Sequence, residues 1–552
     1  MRGSTFYRSI ALLAAGLLWC APAGAVRYAP HTAKRPLFVP GEVLVKYRLA
    51  ASPESVSRAT RSVAAPESKP KPIVGPGPQR IRLAAGIDVA AALRQLRADP
   101  AVAYAEPDYY RYPMAAARNV PDDPRFGDQW GLDNPGGPGE TADADMDMPE
   151  AWKIVDDASD VTVAIIDDGF KLDAPDLKAA FDPSGGVDCS GGTCKSGTTA
   201  AETDDDQFHG TLVAGVIGAA GNNDIGIAGV AWKVHLLPIK IDFTSGSLAA
   251  AIDYAIAHGA NIINLSIGGP GYSQAEFDAL DNARRQGVLV VTAAGNQDSN
   301  TDEAIASYPA NYNLPNIIAA AASDDQDDVA YFSTWGSWTV DVAAPGQHIL
   351  STNIDDGYEF ADGTSFSSPA TAGVAALIAQ NLKDQTGVMP DWRAIKAHLL
   401  AGAELAGDSG SGGIEGRVAA GRVNAYKALQ PLSGGVIVID NVTLDDNVAL
   451  SSANDGDGAI DPGETVDFNV SVRNDWQDES DVRATLHALN SFSTAAPGEQ
   501  DFGAIAEGTA AQASFPVTFG TFSGNQHLLY ELDITTTAGN AYKRYFYLNA
   551  GR

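Results

Sequence analysis

Residues 363–369 (GTSFSSP) constrain the fold of this 552-residue chain most strongly, because they lead directly into the apolar run 370–377 (ATAGVAAL). The glycine is typical of a turn, and the apolar run predicts a helix. Ser365 is therefore predicted at the start of a helix, near the positive end of its dipole and close to backbone amides. Serine and threonine also cap ordinary helices, so this segment alone leaves a purely structural role open.

Two segments upstream carry groups that could activate a serine hydroxyl, which needs a histidine to accept its proton and a carboxylate to orient that histidine. Residues 161–169 (VTVAIIDDG) predict a buried strand that presents Asp167 at its carboxyl end, where parallel sheets carry their chemistry. Residues 209–215 (HGTLVAG) place small side chains after His209, which lets a helix pack closely while the imidazole faces outward. The chain has eight histidines, and only His209 has this surrounding, although a single histidine is more often structural.

The order Asp167, His209, Ser365 is that of the subtilisin triad, and residues 119–432 resemble a subtilisin-family serine protease, or subtilase. The resemblance implies that Ser365 is the nucleophile, His209 the general base and then general acid, and Asp167 the carboxylate that holds the imidazole tautomer. It also implies that Asn296, which ends the stretch VVTAAGN, donates to the oxyanion, although Gly-Asn is also a common turn. We therefore expect an endopeptidase that hydrolyses protein or peptide substrates through an acyl-enzyme.

The same resemblance predicts where the substrate binds. Residues 264–269 (NLSIGG) are similar to the edge segment that pairs with an extended peptide, and no charge is evident in the predicted primary pocket. An uncharged pocket favours a large apolar or aromatic residue before the scissile bond, with weak discrimination. The predicted substrate-binding residues are Ser266, Ile267, Gly268, Ala293, Ala294, Gly295, Ser307 and Asp168.

Asp168 departs from the family pattern, because secreted subtilisins usually carry threonine or serine after the catalytic aspartate. The kexin and furin branch carries aspartate there, so Asp168 could select a basic residue two positions before the cut, as in a processing protease. The serine and histidine segments have the bacterial form, however, and no acidic pocket motif is visible. A third hypothesis, a non-catalytic surface binding module on a subtilisin scaffold, predicts a damaged triad, whereas Asp167, His209, Ser365 and Asn296 are all present.

Structural calcium is a further implication of the resemblance, since residues 222–227 (NNDIGI) are similar to the family's calcium loop. Calcium takes about six to eight oxygen ligands, including backbone carbonyls. The predicted ligands are side-chain oxygens of Asp176, Asn223 and Gln129 and the backbone carbonyls of Ile225 and Ile227. This loop lies one residue farther from His209 than the calcium loop does in the family pattern. The alternative interpretation is therefore a loop that keeps its shape without a metal ion.

The N-terminal residues and the cysteines indicate a secreted, extracellular protein. Residues 1–25 combine a basic start, an apolar stretch and a small-residue end, as a cleaved signal peptide does. Cys20 raises a lipoprotein alternative, which Trp19 disfavours because a small residue is required at that position. Cys189 and Cys194, in CSGGTC, suit a local disulfide in an oxidising compartment, with two metal-binding thiols as the weaker alternative. No later stretch predicts a membrane span.

Charge is distributed very unevenly along the chain. Residues 26–118, which resemble the family's folding and inhibitory propeptide, hold 15 basic and 7 acidic side chains, a net charge of +8. Residues 119–552 hold 20 basic and 62 acidic side chains, a net charge of −42. We expect long-range attraction to strengthen inhibition by the chain's own propeptide at low salt, although the acidic surface could serve solubility alone. Either interpretation argues against nucleic-acid binding.

The sequence thus predicts four parts: a signal peptide (1–25), a small α+β propeptide (26–118), a catalytic domain (119–432) and a C-terminal module (433–552). The catalytic domain is expected to be α/β, with a doubly wound, mainly parallel sheet. Alternating apolar residues in the C-terminal module predict a β-sandwich, and its acid-rich stretch 454–465 could hold a second calcium or form an unliganded turn. Residues 114–118 (MAAAR) are a candidate maturation linker. Neither physiological substrate nor oligomeric state is specified.

Overall fold

The computed structural model describes residues 38–48, 51–65, 71–72, 78–109, 119–184, 186–197, 201–202, 208–302, 306–405, 413–432, 434–446, 459–524, 526–537 and 539–550. The predicted signal peptide, the candidate maturation linker 114–118 and residues 454–458 of the acid-rich stretch lie outside these residues. The chain divides into two compact units, residues 1–115 and 116–552.

The first unit contains a four-stranded antiparallel sheet with two helices in its described part. Its elements are β1 (Phe38–Tyr47), α1 (Pro53–Arg61), β2 (Lys71–Pro72), β3 (Gln79–Arg82), α2 (Val89–Ala98) and β4 (Val102–Tyr109). The strand order is β2-β3-β1-β4. Val45 from the sheet and Leu96 from α2 are fully buried in one shared core. This confirms the α+β class that the sequence predicted for the propeptide.

The second unit begins with an eight-stranded sheet in which all pairs are parallel except the last, at one edge. Its strands are β5 (Asp157–Asp167), β6 (Val187–Asp188), β7 (Lys195–Ser196), β8 (Lys233–Lys240), β9 (Ile262–Leu265), β10 (Leu289–Ala293), β11 (Ile317–Ser323) and β12 (Val342–Pro345). The strand order is β12-β11-β10-β9-β5-β8-β6-β7. β5, β9 and β10 are therefore neighbours, and the loops that follow them leave the sheet at the same edge.

Helices cover both faces of this sheet, which explains its continuous apolar strands. The helices are α3 (Met148–Ala151), α4 (His209–Gly218), α5 (Ser245–Ala257), α6 (Gln274–Arg285), α7 (Thr364–Thr386), α8 (Trp392–Gly402) and α9 (Ala425–Ala428), and a hairpin of β13 (Ile349–Thr352) and β14 (Tyr358–Ala361) precedes α7. Successive residues of β5 point to opposite faces, so Ile165 packs in the core that contains α4 and α7, whereas Ile166 packs in the core that contains α5 and α6. The predicted doubly wound α/β fold is confirmed.

The C-terminal residues form two four-stranded antiparallel sheets around a separate core. Their strands are β15 (Ile437–Asp445), β16 (Thr465–Asn474), β17 (Glu479–Ala488), β18 (Ser493–Ala495), β19 (Gln500–Ile505), β20 (Ala510–Phe519), β21 (Gln526–Thr535) and β22 (Ala541–Ala550). Every second residue of β16 is buried, as the alternating sequence predicted. The backbone N–H of Tyr547 donates to the Ser337 hydroxyl at 3.2 Å, so the module contacts the α/β part of this unit.

Two local features complete the fold. The structure joins Cys189 to Cys194 in a disulfide, within the segment that links β6 to β7. Among the described residues, the helices are either too short or too polar to cross a membrane.

Candidate active site

Asp167 and His209 meet where β5 ends and α4 begins. Asp167 is fully buried, and its Oδ1 lies 2.8 Å from Nδ1 of His209. Because the carboxylate can only accept, Nδ1 is the donor, and Nε2 is left free to accept a proton. A Cβ on Gly210 would lie 2.4 Å from the carbonyl oxygen of Gly169, so only glycine lets the helix begin this close to the strand. The small residue that follows the histidine therefore sets the distance between base and carboxylate.

The charges around His209 favour its protonated form. Burial of the imidazole opposes protonation, but the charge of Asp167, the hydrogen bond to Asp167 and the charge of Asp168 outweigh it and raise the pKa of His209 to about 8. The neutral ring needed for general-base catalysis therefore accumulates as the pH rises through about 8.

Ser365 is the second residue of α7, which confirms the predicted helix start. Its hydroxyl donates to the carbonyl oxygen of Ser266 at 3.3 Å, and among the described residues no hydrogen bond joins it to His209. The neighbouring Phe366 ring lies 6.3 Å from the imidazole, centroid to centroid. In enzymes without substrate, catalytic hydrogen bonds are often long or unformed.

Asn296 follows β10 and faces the start of α7. Its Oδ1 accepts hydrogen bonds from both the backbone N–H and the hydroxyl of Thr364, each at 2.9 Å. These two bonds fix the orientation of the carboxamide, so that its NH₂ group remains available as a donor. Gly295 precedes it with φ 121°, a conformation that favours glycine. The backbone N–H of Ser365 lies in the first turn of α7, where helix amides have no partner within the helix.

A cavity of about 440 Å³ opens beside these groups. Its lining residues are Ser266, Ile267, Gly268, Gly269, Pro270, Ala293, Gly295, Asn296, Gln297, Ser299, Ala306, Ser307, Thr364 and Ser365. Six of the eight predicted substrate-binding residues belong to this lining, whereas Ala294 is buried and Asp168 lies elsewhere. The described lining residues carry no charge, and residues 303–305, which precede Ala306, are outside the described part.

Asp168 contacts the start of α4 instead of the cavity. Its Oδ1 accepts from the backbone N–H of Gly210 at 2.8 Å, and its Oδ2 accepts from the backbone N–H of His209 at 3.2 Å. The residue is only 8% exposed. Both carboxylate oxygens are thus engaged by the helix that carries His209.

A network behind the nucleophile was missed by the sequence reasoning. Ser368 donates to Oδ1 of Asn264 at 2.8 Å, the Asn264 amide donates to Oγ of Ser266 at 3.0 Å, and Ser266 donates to the backbone carbonyl of Ser365 at 2.8 Å. These bonds join the end of β9 to the first turns of α7. The signal that could have revealed them is the presence of hydroxyl and amide side chains within otherwise apolar segments, since buried polar groups need partners.

The residues of the predicted calcium loop are gathered around Asp176. The side-chain oxygens of Asp176 accept from Nδ2 of Asn223 at 2.8 Å, from the backbone N–H of Ile227 at 3.2 Å and from the hydroxyl of Tyr358 at 3.1 Å. Oδ1 of Asn223 accepts from the backbone N–H of Ile225 at 2.8 Å, so ligation by this oxygen requires that bond to be exchanged.

Gln129 has a different role in the structure. Its carboxamide donates to the carbonyl of Ala228 at 2.8 Å and accepts from the N–H of Ala228 at 2.9 Å. The side chain of Gln129 therefore holds the backbone of Ala228, directly after the loop. The side-chain oxygen of Gln129 already accepts one hydrogen bond.

The loop nevertheless has the chemistry of a cation site. Asp123 accepts from the backbone N–H groups of Asn222 and Asn223, and burial raises the pKa of both Asp123 and Asp176. Neither carboxylate forms an ion pair with a described residue. A bound cation would stabilise two neighbouring buried carboxylates in their ionised forms. The donor set fits a hard cation that prefers oxygen ligands.

The chain is similar in sequence to known families and proteins. The model of the subtilase family matches residues 158–421, and that of the fervidolysin N-terminal prodomain matches residues 25–108. A thermophilic serine proteinase of Bacillus sp. (strain AK1) is 33% identical over 356 residues, which are 62% of this chain and 78% of that protein. Thermitase of Thermoactinomyces vulgaris is 36% identical over 292 residues, or 52% of this chain and 94% of thermitase.

A solved structure of a protease from Pseudoalteromonas arctica covers 56% of this chain and 99% of its own, with 29% identity and a TM-score of 0.47. The subtilase match and these relatives place the chain in the class of serine endopeptidases. The chain matches the subtilase family model and covers 78% of the thermophilic serine proteinase and 94% of thermitase. It therefore belongs to the subtilase family, with an N-terminal prodomain of the fervidolysin type. The kexin-like alternative is not favoured, because the relatives are thermitase and subtilisins.

Proposed function

We propose that this chain is a secreted endopeptidase of broad specificity that cleaves after large apolar residues. The observation that carries the proposal is the 2.8 Å bond between Asp167 and His209, beside a cavity that is lined by Ser365 and Asn296 and whose described lining residues carry no charge. Secretion is supported by the signal-like residues 1–25 and by the disulfide.

In the proposed mechanism, the peptide carbonyl carbon is attacked by Oγ of Ser365 as Nε2 of His209 takes the hydroxyl proton. Asp167 holds the Nδ1–H tautomer and stabilises the imidazolium that forms. The negative charge that develops on the carbonyl oxygen is met by the amide of Asn296 and the backbone N–H of Ser365. His209 then protonates the leaving amine, and water hydrolyses the acyl-enzyme by the same steps in reverse order.

The preference for an apolar residue before the cut follows from the cavity. A charged substrate side chain would lose its hydration without gaining a partner, since the described lining residues carry no charge. Each methylene in such a pocket contributes only about 1–3 kcal/mol of discrimination, so several apolar residues should be accepted. Residues 264–269 are proposed to pair with the substrate backbone as an added strand.

A mixed peptide library tests this function. The matured protein is incubated with the library, and the products are sequenced beside those of a Ser365→Ala control. We expect cuts after Phe, Tyr, Leu and Met that are absent from the control. Cuts confined to sites with basic residues would contradict the apolar preference, and the absence of any cut by wild-type protein after prodomain removal would contradict the proposed function.

We further propose the boundaries 1–25, 26–118, 119–432 and 433–552 for signal, inhibitory prodomain, catalytic domain and C-terminal module. The opposite net charges of +8 and −42 support electrostatic attraction between the prodomain and the rest of the chain.

Calcium binding at the loop around Asp176 is also proposed, with oxygens of Asp176, Asn223, Ile225 and Ile227 as ligands. The ion would hold the loop together by joining oxygens from separate segments. We expect calcium at 100 times its dissociation constant to stabilise the fold by about 2.7 kcal/mol, measured as a rise in Tm over the protein in EDTA. Asp176→Asn should reduce this rise strongly.

Asp224→Asn is the matched control for this prediction, because Asp224 is exposed and is not among the proposed side-chain ligands. Its Tm should respond to calcium as that of the wild type does. Equal calcium responses of the two variants, or no response of the wild type, would contradict a calcium site at this loop.

A further inference from the structure

Asp168 lies between the two segments that carry the catalytic base and its orienting carboxylate. Its two oxygens accept from the first two backbone N–H groups of α4, at 2.8 and 3.2 Å. Amides at a helix N-terminus have no partner within the helix, and they carry its positive partial charge. A carboxylate here therefore satisfies two donors and interacts favourably with the helix dipole. Because His209 is the first residue of α4, the position of the imidazole depends on this contact.

Asp168 also places a second negative charge beside the imidazole. Among the described residues, the carboxylates that act on His209 are Asp167 and Asp168, both of which favour its protonation. The segment of α7 that faces the ring presents Ser365 and Phe366, neither of which is charged. Asp168 is thus the only described charge besides Asp167 that the imidazole experiences at close range.

A role in substrate selection fits the contacts of Asp168 less well. The residue is buried and does not line the cavity beside Ser365. The two backbone donors already occupy one acceptor site on each of its oxygens.

We propose that Asp168 is a positioning residue for His209, which anchors the first turn of α4 and supplies a second charge that favours the imidazolium form. The proposal rests on the proposed role of His209 as general base. The imidazolium forms when the proton of Ser365 is taken, so the charge of Asp168 stabilises that step. The same charge shifts the pH range of activity upward, because His209 loses its proton and becomes a neutral base only at higher pH.

Two substitutions separate the effect of the hydrogen bonds to α4 from the effect of the charge. Asp168→Ser keeps an oxygen that can accept from a helix amide but removes the charge, whereas Asp168→Ala removes both. Asp173→Asn is the matched control, since it removes a carboxylate five positions away that is exposed and paired with Lys171. The matured protein is assayed with a peptide that is neutral two positions before the cut.

We expect the acid-side midpoint of kcat/KM to fall by about one pH unit in both Asp168 variants, because loss of a nearby negative charge lowers the pKa of His209. At a pH above the midpoints, kcat should fall severalfold while KM changes little. Asp168→Ala should also lower the Tm more than Asp168→Ser does. Asp173→Asn should leave the midpoint, kcat and Tm at their wild-type values.

A titration of His209 by NMR, in a Ser365→Ala background, provides a readout that does not require activity. We expect the imidazole to titrate at lower pH when Asp168 is replaced by serine. An unchanged titration would overturn the proposal, as would an unchanged kinetic midpoint with an altered preference for Lys or Arg two positions before the cut. If wild-type protein cleaves nothing, the proposed function fails, and the titration still tests Asp168.

Discussion

Replacing Ser365 by alanine is expected to lower kcat by about 10⁶-fold, the magnitude measured for the corresponding change in subtilisin. The substitution removes the only proposed nucleophile and leaves oxyanion stabilisation and substrate binding, which alone retain a rate about 10³–10⁴ above that in water. Because the three triad groups act as a unit, adding His209→Ala to Ser365→Ala should lower the rate little further. Initial rates with one peptide substrate, measured with matched protein preparations, give both values.

The fold should survive this substitution, since the one hydrogen bond that the Ser365 hydroxyl forms among the described residues is at 3.3 Å to Ser266. Ser367→Ala is the matched control, because it removes a hydroxyl two positions away whose one bond within the described part of the chain, to the carbonyl of Pro345, is also weak, at 3.4 Å. Its kcat should remain within a few-fold of wild type. Activity of Ser365→Ala within about tenfold of the control would contradict a serine mechanism at this site.

Replacing Asn296 by alanine is expected to lower kcat by about 10²–10³-fold with little change in KM, again a magnitude from subtilisin. The reason is that its amide acts on charge that is present in the tetrahedral intermediate and absent from the bound peptide. Steady-state kinetics over a range of peptide concentrations separates the two parameters. Alanine also removes the acceptor for Thr364, so a loss of about 0.5–1.5 kcal/mol of stability per lost hydrogen bond is expected as well.

Asn296→Asp tests the donor without removing the acceptor. Its carboxylate can still accept from the backbone N–H and hydroxyl of Thr364, which lie 2.9 Å from Oδ1 in the structure, but it has no amide to donate. We expect kcat to fall at least as far as in Asn296→Ala, because the new charge repels the oxyanion. Near-wild-type kcat in the aspartate variant would mean that Asn296 anchors Thr364 and does not contact the oxyanion.

Local patterns predicted the elements of the catalytic domain because its strands and helices are strongly apolar. The run at 161–167 became β5, and the helix after His209 became α4, which begins at the histidine itself. The apolar run 370–377 lies within α7, which begins six residues earlier with the predicted nucleophile in its first turn. Hydrophobic period and helix-start residues are properties of short segments, so they can be recognised without tertiary structure.

Interactions of polar side chains were harder to predict. Asp168 was assigned to substrate binding because of its position in the sequence, and its contacts to His209 and Gly210 cross 41 and 42 positions. The network of Asn264, Ser266 and Ser368 spans up to 104 positions. Which of many hydroxyls and amides become partners depends on how β9, β5 and α7 are arranged, and the sequence does not state this arrangement locally.

The residue patterns alone predicted the family, the doubly wound α/β class, the order of the proposed triad residues and a primary pocket without an evident charge. Each of these depends on residue types within short segments. The three-dimensional structure shows that Asn296 is held by Thr364, that Asp168 contacts the first turn of α4, and that the Ser365 hydroxyl contacts Ser266. Short segments do not predict these contacts, because hydrogen bonds require atoms within about 3 Å, and such distances between remote segments are set by the packing of the sheet and its helices.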